Sequence, residues 1–192
     1  EHFEHYCRLK GVTGAGAYYS PSDGELVLCD YSMVNKRLTF QSLFHEANHQ
    51  FMDENYFGMP LRLAWLSEGL ATNYETARFK GYRIISAGKK HREYLEEVDK
   101  RLKAGQLVPL KEFLLWEQDR FYAIEPRRNY AQGWSLVYFF MHTRDRKLRR
   151  TWLDFIQRIR ETKDEKKALE ETLAAYGIPR IEKAWKAFVA RL

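Results

Sequence analysis

The sequence predicts an α+β fold over residues 1–192, with a small N-terminal β-hairpin followed by a mainly helical body. Two patterns support this prediction. The segments "GAYYS" and "ELVLCD" flank "PSDG", whose Pro, Asp and Gly are typical of a hairpin turn. Further along, Leu43, Phe44, Ala47 and Phe51 recur at helical spacing. A short sheet followed by many helices is the order expected of an α+β domain.

The predicted helices are bounded by glycine, proline and charged connectors. The helix that carries Leu43–Phe51 is expected to end near Gly58 and Pro60, which break helical patterning. A short helix is expected to follow Pro109, because proline suits a first helical turn. The other predicted helices cover about residues 63–79, 89–103, 129–142, 148–161, 165–176 and 179–191.

Composition excludes several classes of function. Apolar residues make up 45% of the chain, which indicates a globular protein rather than a disordered one. The net charge is +6, but the basic residues alternate with acidic ones along helical segments, so we expect solvated faces and no nucleic-acid binding. The longest apolar run, Ser135–Met141, is too short to cross a bilayer, so no membrane span is predicted.

Two features leave alternatives open. Cys7 and Cys29 form no CxxC motif, and a disulfide and two free thiols are both compatible with their positions. Because the chain begins at Glu1 rather than at methionine, a leader or a flanking domain absent from this sequence is a further alternative. If a leader has been removed, we expect an exported or cell-envelope protein.

The strongest chemical signal is "HEANH", residues 45–49, in a chain with only six histidines. Positions i and i+4 of a helix share one face, so His45 and His49 can direct two imidazole nitrogens at one zinc ion. Glu46 lies about 100° around the helix, where it can reach a water on the metal without binding the metal itself. This is the HExxH arrangement, in which the glutamate acts as general base.

A third ligand is predicted at Glu68, in "AWLSEGLATNYE". The eighteen residues between His49 and Glu68 suffice to finish one helix, turn, and return a second helix alongside. The small residues Gly69, Ala71 and Ala47 are expected to let these two helices approach closely. The metzincin alternative is excluded because Met52 and Asn55 stand where that motif requires Gly and His.

"HEANH", eighteen residues, and then "WLSEGLATNYE" resembles the gluzincin zinc peptidases, the group that includes thermolysin and the zinc aminopeptidases. The likeness to peptidase-MA-like bacterial domains is closer, since "GAYYSPSDGELVLCD" is similar to the segment that precedes their zinc helix. The resemblance covers about residues 14–141, which we take as the core of the domain. Residues 142–192 form a helical C-terminal part outside the resemblance. It implies a zincin-like fold with one Zn²⁺ between two helices, held by His45, His49 and Glu68.

The same resemblance implies a role for Tyr130. "YAQGWSLVYFF" is similar to a Y-x-x-G helix of the zinc aminopeptidases, whose tyrosine hydrogen-bonds the oxyanion of the transition state. Core packing is the alternative, because Tyr130 opens an apolar stripe at helical spacing; Tyr122 is then the reserve candidate. The Gly-x-Met-Glu-Asn strand of the aminopeptidases is absent, so the sequence does not decide between exopeptidase and endopeptidase action.

Local sequence patterns predict the environment of three further polar residues. Thr72 and Asn73 follow Glu68 by about one turn and are expected to hydrogen-bond a metal ligand. His91 lies in the charged segment "GKKHRE" and is expected to be solvated.

Together these residues predict a zinc-dependent metallopeptidase acting on a peptide or protein substrate. Glu46 would act as the general base and Tyr130 would stabilise the oxyanion. The alternative is a non-catalytic module that retains the fold to bind a peptide or protein partner. The presence of Glu46 argues against it, because a purely structural zinc site has no use for a base.

Overall fold

The computed structural model describes residues 2–12, 16–81 and 83–192 of the chain. It is an α+β structure, mostly helical, with a two-stranded hairpin near its N-terminus. The expected core boundary at residue 14 lies outside the described residues. The helices are α1 (His2–Leu9), α2 (Ser32–Phe51), α3 (Ala64–Tyr74), α4 (Arg92–Lys103), α5 (Leu110–Phe113), α6 (Gln118–Ala123), α7 (Pro126–His142), α8 (Arg146–Thr162), α9 (Glu165–Leu169) and α10 (Ile178–Val189), and the strands are β1 (Ala17–Ser20), β2 (Glu25–Leu28), β3 (Arg78–Lys80) and β4 (Arg83–Ser86).

The predicted N-terminal hairpin is confirmed. Strands β1 and β2 pair antiparallel, with Tyr19 opposite Leu26. Gly24 has a φ of 65°, a left-handed conformation that glycine adopts without steric cost, and it closes the turn before β2. The hairpin packs against α2 and so borders the helix that carries the two histidines.

Helix α2 gains its regular geometry only after Asn35, whose φ of −150° and ψ of 85° are not helical. The Asn35 Oδ1 atom accepts a hydrogen bond from the Leu38 backbone N–H at 3.2 Å, in the manner of a helix cap. At its other end α2 continues as a π-helix over Met52–Phe57. This extension stops at Gly58, which is left-handed with a φ of 67°, as the sequence predicted.

Helix α3 is the centre of the molecule: ten of its eleven residues, Ala64 to Asn73, are buried. It packs most closely on α7, where Gly69 faces Gly133. A Cβ atom added to Gly69 would lie 2.7 Å from the Gly133 carbonyl oxygen and 2.7 Å from Val137 Cγ2. The close approach that Gly69 permits is therefore to α7, and its predicted role in bringing α3 to the histidine helix is wrong.

The C-terminal helices join the same hydrophobic cluster as the helices around α3. Trp65 stacks on Phe155 of α8 with ring centroids 6.0 Å apart. Glu165, at the start of α9, accepts hydrogen bonds from the backbone N–H groups of Arg62 and Leu63 at 2.7 and 2.9 Å. These two groups precede α3, so the carboxylate of Glu165 ties the entry of α3 to the C-terminal part of the chain.

Three elements differ from the sequence prediction. The helix predicted over 63–79 ends at Tyr74, and residues 78–80 pair with 83–86 in a second antiparallel hairpin. Gly81 permits this turn because its φ is 59°. Helices α1 and α6 were not predicted, and both are short. The remaining predicted helices are present, with ends shifted by up to three residues, and the last turns of the helix predicted over 165–176 are largely π-helical.

Cys7 and Cys29 are both free thiols, which resolves the alternative left open by the sequence. Within the described ranges, no helix combines the length and the apolar character needed to span a bilayer.

The α3–α7 contact can be tested with alanine at its two glycines. We expect Gly69→Ala to lower the free energy of unfolding by about 1–3 kcal/mol, because the methyl group overpacks against the α7 backbone. Gly133→Ala is the matched control. Its added Cβ would lie 3.2 Å from the Trp65 carbonyl oxygen, and the gain in helix propensity of up to about 1 kcal/mol offsets part of the strain. Urea unfolding of both variants measures the difference. Equal stabilities would contradict this account of the contact.

Candidate metal centre

The structure brings His45, His49 and Glu68 together, as the sequence predicted. His45 Nε2 lies 3.1 Å from His49 Nε2 and 3.0 Å from Glu68 Oε2. His49 Nε2 lies 3.6 Å from Glu68 Oε1. The three side chains come from α2 and α3, and each directs one ligand atom at the same point, so they could hold a metal ion.

These distances fit a tetrahedral ion. Ligand atoms bound at about 2.0–2.2 Å to such an ion are separated from one another by about 3.3–3.6 Å. The measured separations of 3.0, 3.1 and 3.6 Å are close to this range. Two imidazoles and one carboxylate form a donor set that zinc accepts, and three protein ligands leave a fourth position open.

Both histidines are oriented through their second ring nitrogen. His45 Nδ1 lies 2.8 Å from Glu75 Oε1, and His49 Nδ1 lies 3.1 Å from Ser67 Oγ. A proton on Nδ1 that is donated to either oxygen leaves the Nε2 lone pair directed at the metal position. Glu75 and Ser67 therefore orient the two ligands through the ring nitrogen that does not face the metal position.

The prediction that Thr72 and Asn73 would hydrogen-bond a metal ligand is confirmed for Thr72, although the bond is to the backbone of Glu68, and is wrong for Asn73. The Thr72 hydroxyl donates to the backbone carbonyl of Glu68, and the Asn73 amide donates to that of Gly69. Sequence reasoning missed Glu75, although a signal was present. Glu75 follows Glu68 by seven residues, which is two helical turns, and such residues lie on the same face.

His91 contacts Glu75 on the side away from the metal position. It is only 5% exposed, so the prediction of a solvated side chain is wrong. Its Nδ1 atom accepts from the Tyr94 backbone N–H at 3.5 Å and caps α4, which places the ring proton on Nε2. From there it donates to Glu75 Oε2 at 3.1 Å. A chain of hydrogen bonds thus runs from the cap of α4 through Glu75 to His45.

The protonation of the ligands depends on these carboxylates. Burial lowers the pKa of His45, but hydrogen bonds and charges from Glu68 and Glu75 outweigh it and hold this pKa well above its usual value. Burial opposes ionisation of Glu68, yet the two histidines hold the pKa of its carboxyl well below the usual range. A metal ion that enters the site must therefore displace a proton from His45, so its apparent affinity falls on acidification.

Glu46 lies beside the three donors but is not one of them. Its side chain borders the same cavity as Tyr19 of β1. Burial raises the pKa of Glu46, and the charge of Glu68 raises it further, against the opposing effect of the two histidines. A carboxylate with a raised pKa is better suited to accept a proton near neutral pH.

Tyr122 and Tyr130 both border the cavity. The Tyr122 hydroxyl donates to Glu68 Oε1, and the ring of Tyr130 lies 6.2 Å from that of His45, centroid to centroid. Burial, followed by the charge of Glu68, raises the pKa of both phenols, so both remain hydrogen-bond donors at neutral pH. Tyr130 also packs against the hydrophobic core, and it borders the cavity as well, so its position is compatible with both alternatives that the sequence left open.

A cavity of about 930 Å³ contains these groups and opens to solvent. Its walls include residues of β1, α2, α3 and α6 and of the N-terminal ends of α4 and α7. Four carboxylates besides that of Glu68 line it: Glu46, Asp53, Glu75 and Glu93. This concentration of negative charge favours a divalent cation.

The profile of a family described as "Protein of unknown function (DUF1570)" matches residues 40–166, about two-thirds of the chain. The chain belongs to this family. The matched segment contains every residue of the metal centre, including Glu75 and His91, and it ends just after Glu165. No significant match is found among curated proteins or among solved structures.

The support of His45 can be tested by metal affinity. We expect Glu75→Gln to weaken divalent-metal binding by about 10–100-fold, because the amide cannot accept hydrogen bonds from both histidines. His91→Asn should weaken binding in the same direction. Asparagine still caps α4 but is too short to reach Glu75.

His142→Asn, at the exposed end of α7, is the matched control. Competition with a chelating indicator measures affinity, and melting of the metal-free proteins detects any loss of folding. Unchanged affinity in Glu75→Gln would show that Glu75 does not support the ligand.

Proposed function

We propose that this protein is a zinc-dependent metallopeptidase of gluzincin type, with a zincin-like arrangement of β1–β2, α2 and α3. The observation that carries the proposal is the position of Glu46. A partly buried carboxylate lies next to three convergent donors, borders the open cavity and is not itself a donor. A structural zinc site closes its fourth position and has no use for such a group.

The residues present suit the chemistry of peptide hydrolysis. Zinc held by His45, His49 and Glu68 would polarise a carbonyl group and lower the pKa of a bound water. Glu46 removes a proton from the attacking water and then delivers it to the leaving amine. Glu46 borders the cavity together with Tyr19 of β1.

Tyr122 and Tyr130 have different roles in this proposal. The Tyr122 hydroxyl is committed to Glu68, so it orients a ligand. Tyr130 is the group we assign to the carbonyl oxygen of the substrate, to which its hydroxyl donates as negative charge develops there. Its fixed position at the start of α7, held through the Gly69–Gly133 contact, keeps this donor at a constant distance from α3.

The proposal is tested by Glu46→Gln. We expect the wild-type chain to bind one zinc per molecule and to hydrolyse an unstructured protein such as casein. Glu46→Gln should retain zinc and folding while losing nearly all hydrolysis, because the amide cannot accept the proton. Elemental analysis, thermal melting and cleavage followed by gel electrophoresis provide the three measurements.

Loss of zinc in the variant would identify Glu46 as a ligand. Absence of hydrolysis in the zinc-loaded wild type would favour the binding-module alternative.

The two tyrosines can be separated by phenylalanine substitution. Tyr130→Phe should lower kcat by about 10²–10³-fold with little change in KM or zinc content, because the lost hydrogen bond forms mainly in the transition state. Tyr122→Phe should instead weaken zinc binding, since it removes a partner of Glu68. Steady-state kinetics and metal competition on both variants measure the contrast. A Tyr130→Phe enzyme with full turnover and a lower melting temperature would assign Tyr130 to the core alone.

A further inference from the structure

A second concavity lies between α2 and the β3–β4 hairpin, with a volume of about 720 Å³. We call it the basic groove and define it by Lys36, Arg37, Phe40, Phe44, Arg78, Phe79 and Lys89, which line it. None of these residues belongs to the metal centre.

Three aromatic rings form an apolar row in the basic groove. Phe44 stacks on Phe40, with ring centroids 5.9 Å apart, and on Phe79, with centroids 4.7 Å apart. Phe40 and Phe79 are each 43% exposed. A concavity lined by aromatic rings together with a few polar groups has the composition of a ligand-binding site.

The rim of the groove is strongly cationic. Lys36, Arg37, Arg78 and Lys89 line it, and within the described part of the chain none of these side chains forms an ion pair with a carboxylate. The single carboxylate that lines the groove, Glu75, is already engaged by His45 and His91. The positive charge of the rim is therefore not neutralised by the protein.

The backbone adds to this potential. The regular part of α2 begins just after Asn35, so Lys36 and Arg37 lie in its first turn, which contains no acidic residue. A helix N-terminus carries a partial positive charge and normally favours acidic side chains. Cations placed there favour an anionic ligand, and the aromatic row favours a ligand that also carries a large apolar group.

The basic groove adjoins the metal centre. Gln41 and Glu75 line both cavities. Along α2, Phe40 precedes His45 by five residues, a rise of about 7.5 Å. An extended polypeptide covers this distance in about two to three residues. A peptide bound across the metal centre can therefore reach the groove with residues close to the bond that is cleaved.

We propose that the basic groove binds a segment of the polypeptide substrate in which carboxylate side chains flank an aromatic or large aliphatic residue. The segment lies about two to four residues from the cleaved bond, on one side of it. This inference rests on the proposed peptidase function and specifies its substrate class. The groove is concave and shares Gln41 and Glu75 with the cavity of the metal centre, which favours an extended chain over a flat membrane surface.

Binding to defined peptides tests the proposal without turnover. The zinc-loaded Glu46→Gln chain is titrated with three fluorescein-labelled peptides that share flanking sequences. Their centres are Asp-Glu-Phe-Glu-Asp, Asp-Glu-Ala-Glu-Asp and Lys-Arg-Phe-Arg-Lys. Fluorescence anisotropy should show the acidic peptide with Phe binding at least about tenfold tighter than either of the others, with a preference that weakens at high salt.

Variants assign this preference to the groove. In the same background, Arg37→Glu with Arg78→Glu should weaken binding of the acidic peptides by about tenfold or more. Phe79→Ala should reduce the advantage of Phe over Ala at the peptide centre. Arg144→Glu with Arg149→Glu is the matched control: it makes the same change in net charge at exposed positions outside the groove and should leave affinity within about twofold. Melting temperatures confirm that each variant is folded.

Each remaining outcome separates the two proposals. Equal affinity for the three peptides, or equal effects of the two double reversals, would overturn the groove assignment. Binding to phosphatidylserine–phosphatidylcholine vesicles that Arg37→Glu with Arg78→Glu abolishes, without discrimination among peptides, would overturn it in favour of a membrane surface. Groove-dependent peptide binding with no cleavage by the wild type would leave the groove assigned and refute the peptidase. Cleavage of a peptide mixture with no preference for acidic residues would support the peptidase and refute the groove assignment.

Discussion

The contact between α3 and α7 at Gly69 and Gly133 is the constraint on which the metal centre depends. Because neither glycine carries a Cβ, the two helix backbones approach closely enough for α3 to be buried along almost its whole length. Helix α3 supplies Glu68 directly and Ser67 to His49, and α7 supplies Tyr130. A displacement of either helix would therefore separate groups from both sides of the cavity. The positions of the side chains around the candidate metal site thus depend on backbone packing as well as on their own contacts.

The second organising feature is the balance of charge around His45. Two carboxylates, Glu68 and Glu75, contact the same imidazole from opposite sides, and a third, Glu46, lies nearby. Burying several carboxylates in one region is costly unless cations or hydrogen bonds compensate them. In the protein without metal the histidines provide this compensation, and a divalent ion would provide it more effectively. Metal binding would therefore stabilise the site, and this stabilisation would be linked to the release of protons.

The parts of the site that could be predicted from the sequence are those that depend on local spacing. His45, Glu46 and His49 share one helix, and Glu68 follows within a single helix–turn–helix distance, so their convergence follows from helical geometry. The β1–β2 hairpin was predictable because its turn residues are distinctive. These features require no knowledge of distant contacts.

The features that were missed depend on contacts between segments distant in sequence. His91 lies in a charged segment, and nothing local indicates that Glu75, sixteen residues earlier, removes it from solvent. The helix prediction extended past Tyr74 because "ETARFK" is compatible with a helix, whereas pairing of β3 with β4 across Gly81 decides the outcome. The partner of Gly69 could not be identified either, since a small residue shows that something approaches closely but not which helix does so.

The hydrogen bonds from Arg62 and Leu63 to Glu165 have a consequence for the order in which the protein folds. They join residues about one hundred positions apart and fix the start of α3. Closing so long a loop is entropically costly and slow compared with forming a helix or a hairpin. During synthesis, these two hydrogen bonds cannot form until α9 has left the ribosome, although Ala64 N–H can already donate to the Trp116 carbonyl oxygen. The HExxH helix can form early, but its third donor is held in its final position only when most of the chain has been made. Assembly of the metal centre is therefore a late event in folding, and nascent chains that stop before α9 lack this anchor of α3.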